Sequence, residues 1–142
     1  MEIRNRNENY KKLAEELIET EAELDYIEQS NVKIAYLESD QCKKKGDGIV
    51  HGECEKIPAK YRWAIPEDFS ITLFFNNNIG LSEKQIKILL FHELLHIGID
   101  YGENGEVYKI VPHDVEDFKL IINRFGLDWV NKGEENDTNL NA

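Results

Sequence analysis

Five consecutive residues, His92-Glu93-Leu94-Leu95-His96, carry the side-chain types best suited to chemistry in this sequence. On a helix, His92 and His96 lie one turn apart on the same face and can bind a single zinc ion together. Glu93 then lies beside the open coordination position of the ion, where a carboxylate can act as a general base. The spacing therefore predicts a zinc site at which an activated water attacks a peptide bond, as in metalloproteases.

The residues around this motif predict a buried helix over residues 83–97. Ser82 and Gln85 fit a capping box at its start, and Gly98 fits a left-handed stop at its end. Apolar residues cover most of its circumference, which is typical of a core helix: Ile86, Ile88, Leu90, Phe91, Leu94, Leu95 and Ile97. Polar groups left unpaired in such a helix would be costly, and a metal ion removes that cost.

His113 is the predicted third metal ligand, at the start of a C-terminal helix that can fold over the site. Neutral imidazole is a common zinc ligand, which favours this residue. The spacing is not that of metzincins, because Gly102 occupies the position of their third histidine. The alternative ligands, each through a carboxylate oxygen, are Asp114, Glu116 and Asp117. Asp114 or Asp117 can instead orient a metal ligand.

The other patterns predict an α+β fold in one domain over residues 1–130, followed by a polar, disordered tail at 131–142. An amphipathic N-terminal helix, a small and mostly antiparallel sheet, the central motif helix and a C-terminal helix make up the domain. The third strand of the sheet is expected to bind an extended peptide by edge pairing. The predicted ranges are a helix at 7–28, strands at 32–37, 49–54, 70–75 and 106–111, and a helix at 112–126.

The charge balance argues against nucleic acid and anionic membranes as partners. Acidic residues outnumber basic ones by 28 to 17, and the formal net charge is −11. No apolar stretch approaches the roughly 20 residues that span a bilayer, and the N-terminus does not resemble a signal peptide. The expected location is therefore the cytoplasm, whereas the sequence does not predict the oligomeric state.

A second, structural zinc site is only weakly indicated. Cys42, His51 and Cys54 lie near one another in sequence, but they offer three ligands at most and no paired Cys-x-x-Cys knuckle. We therefore expect free, buried thiols and an ordinary histidine at these positions.

Several separated blocks resemble the putative phage metallopeptidase family over residues 32–129. The resemblance implies a zincin-like fold, a zinc-dependent peptidase and a peptide or protein substrate, and its His-Asp block supports His113. The blocks are Tyr61-Arg62-Trp63-Ala64, Asp68-Phe69, Gly80-Leu81-Ser82-Glu83-Lys84-Gln85, Leu89-Leu90-Phe91-His92-Glu93-Leu94-Leu95-His96 and Pro112-His113-Asp114-Val115-Glu116-Asp117-Phe118.

Two other functions compete with the peptidase. A zinc-dependent ribonuclease of the rRNA-maturation type has a similar metal motif, but that motif needs a further histidine where this chain has Gly102. A non-catalytic zinc-binding regulatory module is the other alternative, because a fold alone does not establish catalysis. Glu93 separates the two classes, since a purely structural zinc site is closed by a fourth protein ligand and needs no base.

Overall fold

The computed structural model describes residues 1–113 and 118–126, which form an α+β arrangement as predicted. The helices, numbered in chain order, are α1 (Glu8–Thr20), α2 (Asp25–Gln29), α3 (Glu83–Leu94) and α4 (Lys119–Phe125). The strands are β1 (Arg4–Arg6), β2 (Ile34–Ser39), β3 (Lys44–Lys45), β4 (Gly48–Ile49), β5 (Gly52–Lys56), β6 (Phe69–Phe74), β7 (Ile97–Gly102) and β8 (Gly105–Ile110).

Four strands form the main sheet in the order β1-β2-β6-β5. The β1–β2 and β6–β5 pairings are antiparallel and β2–β6 is parallel, which agrees with a mostly antiparallel sheet. The expected edge pairing of a peptide with β6 is wrong, because β2 and β5 hydrogen-bond to its two sides. Its side chains are buried on both faces of the sheet, as is usual for a central strand. The edge strands of this sheet are β1 and β5.

The N-terminal helix predicted over residues 7–28 is broken. The Asn7 side chain caps α1 by accepting a hydrogen bond from the Tyr10 N–H at 2.9 Å. The chain becomes extended at Glu21, and a short 3-10 turn at Ala22–Leu24 then leads into α2. Glu21 forms an ion pair with Arg124 of α4 at 2.8 Å, so a long-range contact fixes the residue at which the helix stops.

The capping box of α3 is confirmed. Ser82 Oγ accepts from the Gln85 N–H at 3.2 Å, and Gln85 Oε1 accepts from the Ser82 N–H at 2.9 Å. The helix packs on α1 and on β5 and β6 of the sheet, with most of its apolar residues buried. It ends at Leu94, earlier than expected, and Gly98 lies within β7 rather than acting as a left-handed stop.

The C-terminal part of the chain folds as a hairpin followed by a helix. β7 and β8 pair antiparallel, although the sequence predicted a loop in place of β7. Pro112 and His113 are not helical, and the remainder of the predicted helix start, at 114–117, lies outside the described residues. α4 ends before Gly126, whose φ of 85° confirms the predicted helix stop. The predicted tail at 131–142 is also outside the described part of the chain.

None of the helices within residues 1–113 and 118–126 is both long and apolar enough to cross a membrane.

Candidate metal centre

Three of the four histidines in the sequence meet at the C-terminal end of α3. One ring nitrogen from each of His92, His96 and His113 lies within 4.8 Å of the others. The ring centroids are 5.2 Å apart for His92 and His96, and 4.7 Å and 4.5 Å from His113 to these two rings. The structure thus brings together the three predicted ligands, which come from two separate segments.

The last helical turn positions the first two histidines. His92 lies in α3, whereas His96 lies in the turn that closes the helix and donates its backbone N–H to the Glu93 carbonyl at 3.1 Å. His92 and His96 therefore stay on the same side of the chain although the regular helix has already ended at Leu94.

A reciprocal pair of hydrogen bonds orients the His96 ring. His96 Nδ1 lies 2.7 Å from the Val111 carbonyl oxygen, and the Val111 N–H donates to the His96 carbonyl at 2.6 Å. Because a carbonyl can only accept, Nδ1 carries the proton and Nε2 carries the lone pair that a metal needs. The same bonds hold Val111 beside the helix end, two residues before His113.

The β7–β8 hairpin explains how a residue seventeen positions beyond His96 returns to it. β7 starts directly after His96, and its first residue Ile97 pairs with Ile110, the last residue of β8. The Tyr26 hydroxyl donates to the Ile97 carbonyl at 2.6 Å and so anchors the start of the hairpin to α2. The chain therefore leaves the site along one strand and returns along the other.

Phe118 packs against all three histidines. Its ring centroid lies 5.4 Å from that of His92, 4.9 Å from His96 and 5.1 Å from His113, and the residue is buried. An aromatic ring shared by three imidazoles restricts their rotation and keeps water from one side of the cluster. Phe118 belongs to one of the sequence blocks that resemble the family, but the sequence alone predicts no role for it at the site.

Glu93 is a buried carboxylate beside the histidines. It is 3% exposed, and its two carboxylate oxygens each lie 3.9 Å from a ring nitrogen, Oε2 from His92 Nε2 and Oε1 from His96 Nε2. The carboxylate therefore lies beside the ring nitrogens but does not occupy the position of a metal ligand. This is the position that a general base beside a metal requires.

The cluster fits a tetrahedral zinc ion. His113 Nε2 and His92 Nε2 are 2.9 Å apart. Nitrogens bound to one tetrahedral zinc at about 2.0–2.1 Å stand roughly 3.3 Å from each other, so this pair needs only a small side-chain movement. The His96 nitrogen lies within 4.8 Å of both. Imidazole is a ligand for several divalent metals, and zinc is one of them.

The structure does not describe the alternative carboxylate ligands, but it does describe the residues of the weakly indicated second zinc site. Asp114, Glu116 and Asp117 lie outside the described residues. His51 Nδ1 is hydrogen-bonded to the Asn78 side-chain oxygen at 2.8 Å. Both thiols are free, and burial, together with the negative charges of Glu93 and Glu55, raises the pKa of the Cys54 thiol. The expected burial of Cys42 is wrong, because this residue is exposed. Within residues 1–113 and 118–126, the three-histidine cluster is the one group close enough to hold a metal ion.

A cleft of about 470 Å³ reaches the cluster at His92. One wall is α3, with Leu89, His92 and Glu93, and the other is formed by the β3–β4 hairpin and the beginning of β5. Gly52 of β5 lies directly against Glu93, since a methyl group added to it would stand 3.4 Å from Glu93 Oε2. The carboxylate is therefore within reach of a molecule in the cleft.

The comparison with known families agrees with this geometry. The family described as Putative phage metallopeptidase matches residues 4–136. The chain belongs to this family. The resemblance inferred from the sequence is thereby confirmed, and the family description names a metal-dependent peptidase, for which the three histidines offer a metal site. No curated protein and no solved structure matches the chain.

Proposed function

We propose that this protein is a zinc-dependent metallopeptidase with a zincin-like fold that hydrolyses peptide bonds in peptide or protein substrates. His92, His96 and His113 are the proposed zinc ligands, and Glu93 is the proposed general base. The observation that carries this proposal is the buried Glu93 carboxylate, 3.9 Å from two of the three clustered histidines. A purely structural metal site has no use for a carboxylate in that position.

The residues of the chain divide the chemistry between them. A bound zinc ion supplies Lewis-acid activation of a water molecule and of the scissile carbonyl. Glu93 accepts the proton of the attacking water and passes it to the leaving amine. The Val111 carbonyl keeps His96 in the tautomer that binds metal. Phe118 limits the access of bulk water to the histidines.

The backbone groups at the outer edge of β5 favour a peptide as the substrate. The Phe74 N–H donates to the His51 carbonyl and the Ile57 N–H to the Asp68 carbonyl, so these two residues point their backbone groups at β6. Because antiparallel pairs alternate, the backbone groups of Gly52, Cys54 and Lys56 point away from β6. Because β8 packs against part of β5, we propose that an extended peptide pairs at the start of this strand, where Gly52 lies beside Glu93.

Metal analysis tests the ligands. Purified protein should contain about one zinc ion per chain, and His96→Ala should lose it because a three-ligand site cannot spare one imidazole. His51→Ala is the matched control, since His51 lines the same cleft and its ring is held by Asn78. Equal zinc in wild type and His96→Ala would refute the assignment.

Cleavage of a mixed peptide library tests the base. Glu93→Gln should retain zinc and lose at least about a hundredfold in cleavage rate, because the amide cannot accept the proton. Zinc binding without cleavage by the wild type would favour a non-catalytic zinc-binding module instead.

A further inference from the structure

The cleft beside the histidines is lined by a lysine, although the chain as a whole is acidic. Lys45, in the β3–β4 hairpin, lines this cleft together with Glu93 of α3. The formal net charge of the chain is −11, so the charge of Lys45 is opposite in sign to that of the chain as a whole. Screening by physiological salt limits the distance over which an exposed charge acts to about 8 Å. Lys45 therefore acts only on molecules close to it in the cleft.

The hairpin that carries Lys45 is held firmly at its base. The Asn77 side-chain amide donates to the Lys43 carbonyl at 3.0 Å and to the Val50 carbonyl at 2.8 Å, and the Val50 N–H donates to the Lys43 carbonyl at 3.1 Å. Lys45 then pairs with Gly48 in the two-stranded ladder. The backbone at Lys45 is therefore fixed relative to the cleft, although its side chain is exposed.

Neighbouring lysines do not have the same role. Lys43 forms an ion pair with Glu53 at 2.5 Å, which neutralises its charge. Lys44 does not line the cleft, as expected from the alternation of side chains along a strand. Lys45 takes part in no ion pair within the described residues, so its ammonium group is available to a molecule in the cleft.

We propose that Lys45 selects substrates that carry a carboxylate close to the scissile bond. The inference rests on the proposed peptidase function, because the negative groups of a peptide are its Asp and Glu side chains and its terminal carboxylate. Glu93 repels such a carboxylate, whereas Lys45 on the opposite wall attracts it. The substrate is thereby held with its carboxylate toward the hairpin and its scissile carbonyl toward the histidines.

Four pools of short random peptides test the proposal. Two pools contain Asp and Glu, and the other two contain Asn and Gln in their place; one pool of each kind has a free C-terminus and the other an amide. Wild type should cleave pools that carry a carboxylate about three- to fivefold faster than the amidated Asn and Gln pool, which carries none. This is the effect of one exposed ion pair. Preference for acidic side chains regardless of the terminus, or for a free terminus regardless of the side chains, identifies the source of the carboxylate.

Variants assign the preference to Lys45. Lys45→Gln should abolish the preference and Lys45→Glu should reverse it, whereas Lys44→Gln, which removes an equal charge from the same strand, should leave it unchanged. Equal cleavage of all pools by wild type, or a preference that persists in Lys45→Gln, would overturn the proposal.

Binding separates this proposal from the peptidase function. The fluorescently labelled pools are titrated with Glu93→Gln and with the double variant that also carries Lys45→Gln, which requires no turnover. Absence of cleavage in every pool would refute the peptidase function. A binding preference for carboxylate-bearing pools that depends on Lys45 would still support the role of Lys45, and equal binding of all pools would refute that role.

Discussion

Position 52 shows how closely the backbone approaches the site at the residue scale. A methyl group on Gly52 would stand 2.7 Å from Leu73 Cδ2 and 3.2 Å from the Thr72 carbonyl oxygen. Gly52 does not have a positive φ, so the close approach of β6, rather than backbone conformation, requires glycine there. The sequence offered no signal for this, because a glycine at the start of a strand is equally typical of a turn or a bulge.

Gly52→Ala tests this contact. We expect the free energy of unfolding to fall by about 1–3 kcal/mol, because the added methyl group must displace β6 or Leu73. The rate of peptide cleavage should fall as well, since the same methyl group would touch the Glu93 carboxylate. Urea denaturation and a cleavage assay measure the two effects.

Gly80→Ala is the matched control for this substitution. Nothing lies within 4 Å of a methyl group at position 80, and its φ is not positive. Its stability should stay within about 0.5 kcal/mol of wild type. Equal free energies of unfolding for Gly52→Ala and Gly80→Ala would show that β5 accommodates the added methyl group without loss of stability.

At the scale of elements, the β7–β8 hairpin delivers His113 to the other two histidines. Gly98 leaves no room for a side chain, because a methyl group there would stand 2.6 Å from Val111 Cγ2 and 2.9 Å from Lys109 Cγ. Val111 is also the residue that orients His96. The geometry of the cluster therefore depends on the spacing of two strands.

Gly98→Ala should weaken metal binding while the fold is retained. Moving Val111 disturbs both the His96 hydrogen bond and the approach of His113, and changes in such supporting contacts typically cost about tenfold to a hundredfold in metal affinity. Zinc affinity measured by competition with a chelator gives the result. Gly102→Ala in the same strand, where the nearest atom is at 3.6 Å, should bind zinc like wild type. Unchanged zinc affinity in Gly98→Ala would show that the spacing of the hairpin does not affect the metal site.

The element scale also shows where sequence patterns stop being informative. The capping box marked the start of α3 correctly, because its hydrogen bonds join residues three apart. The end of α3 and the break after α1 were predicted less well. Both depend on residues far away in sequence, namely Val111 for the turn at His96 and Arg124 for Glu21.

At the scale of the whole molecule, ion pairs join distant segments of an acidic chain. Arg6 of β1 holds Glu67, which precedes β6, through two hydrogen bonds at 2.9 Å and 3.0 Å. The bonded Arg6 guanidinium lowers the pKa of Glu67 below its ordinary value. A carboxylate with a lowered pKa in the folded state stabilises the protein above its unfolded pKa, and this contribution is lost as the pH falls through the folded value.

Arg6→Gln should therefore destabilise the protein at neutral pH and much less in acid. The difference in urea midpoint between wild type and the variant should be present at about pH 7 and should shrink as the pH falls below about 4.3, the ordinary value for glutamate. Lys44→Gln is the control, because it removes the same charge without removing a carboxylate's partner. A difference that is constant with pH would show that the ion pair adds no stability.

The sequence by itself determined the features on which the proposed chemistry depends: the His-Glu-x-x-His motif, the helix start that supports it, the family and His113 as the third ligand to propose. The motif and the helix start are local, because a helix places residues four apart on one face whatever the rest of the chain does. The family and His113 follow from blocks of residues spread along the chain. The tertiary structure decided what depends on distant contacts. It placed β5 at one edge of the main sheet, used a hairpin to bring His113 back to His96, and set Val111, Phe118 and Gly52 around the site, because strand pairing and close packing join residues that no short pattern connects.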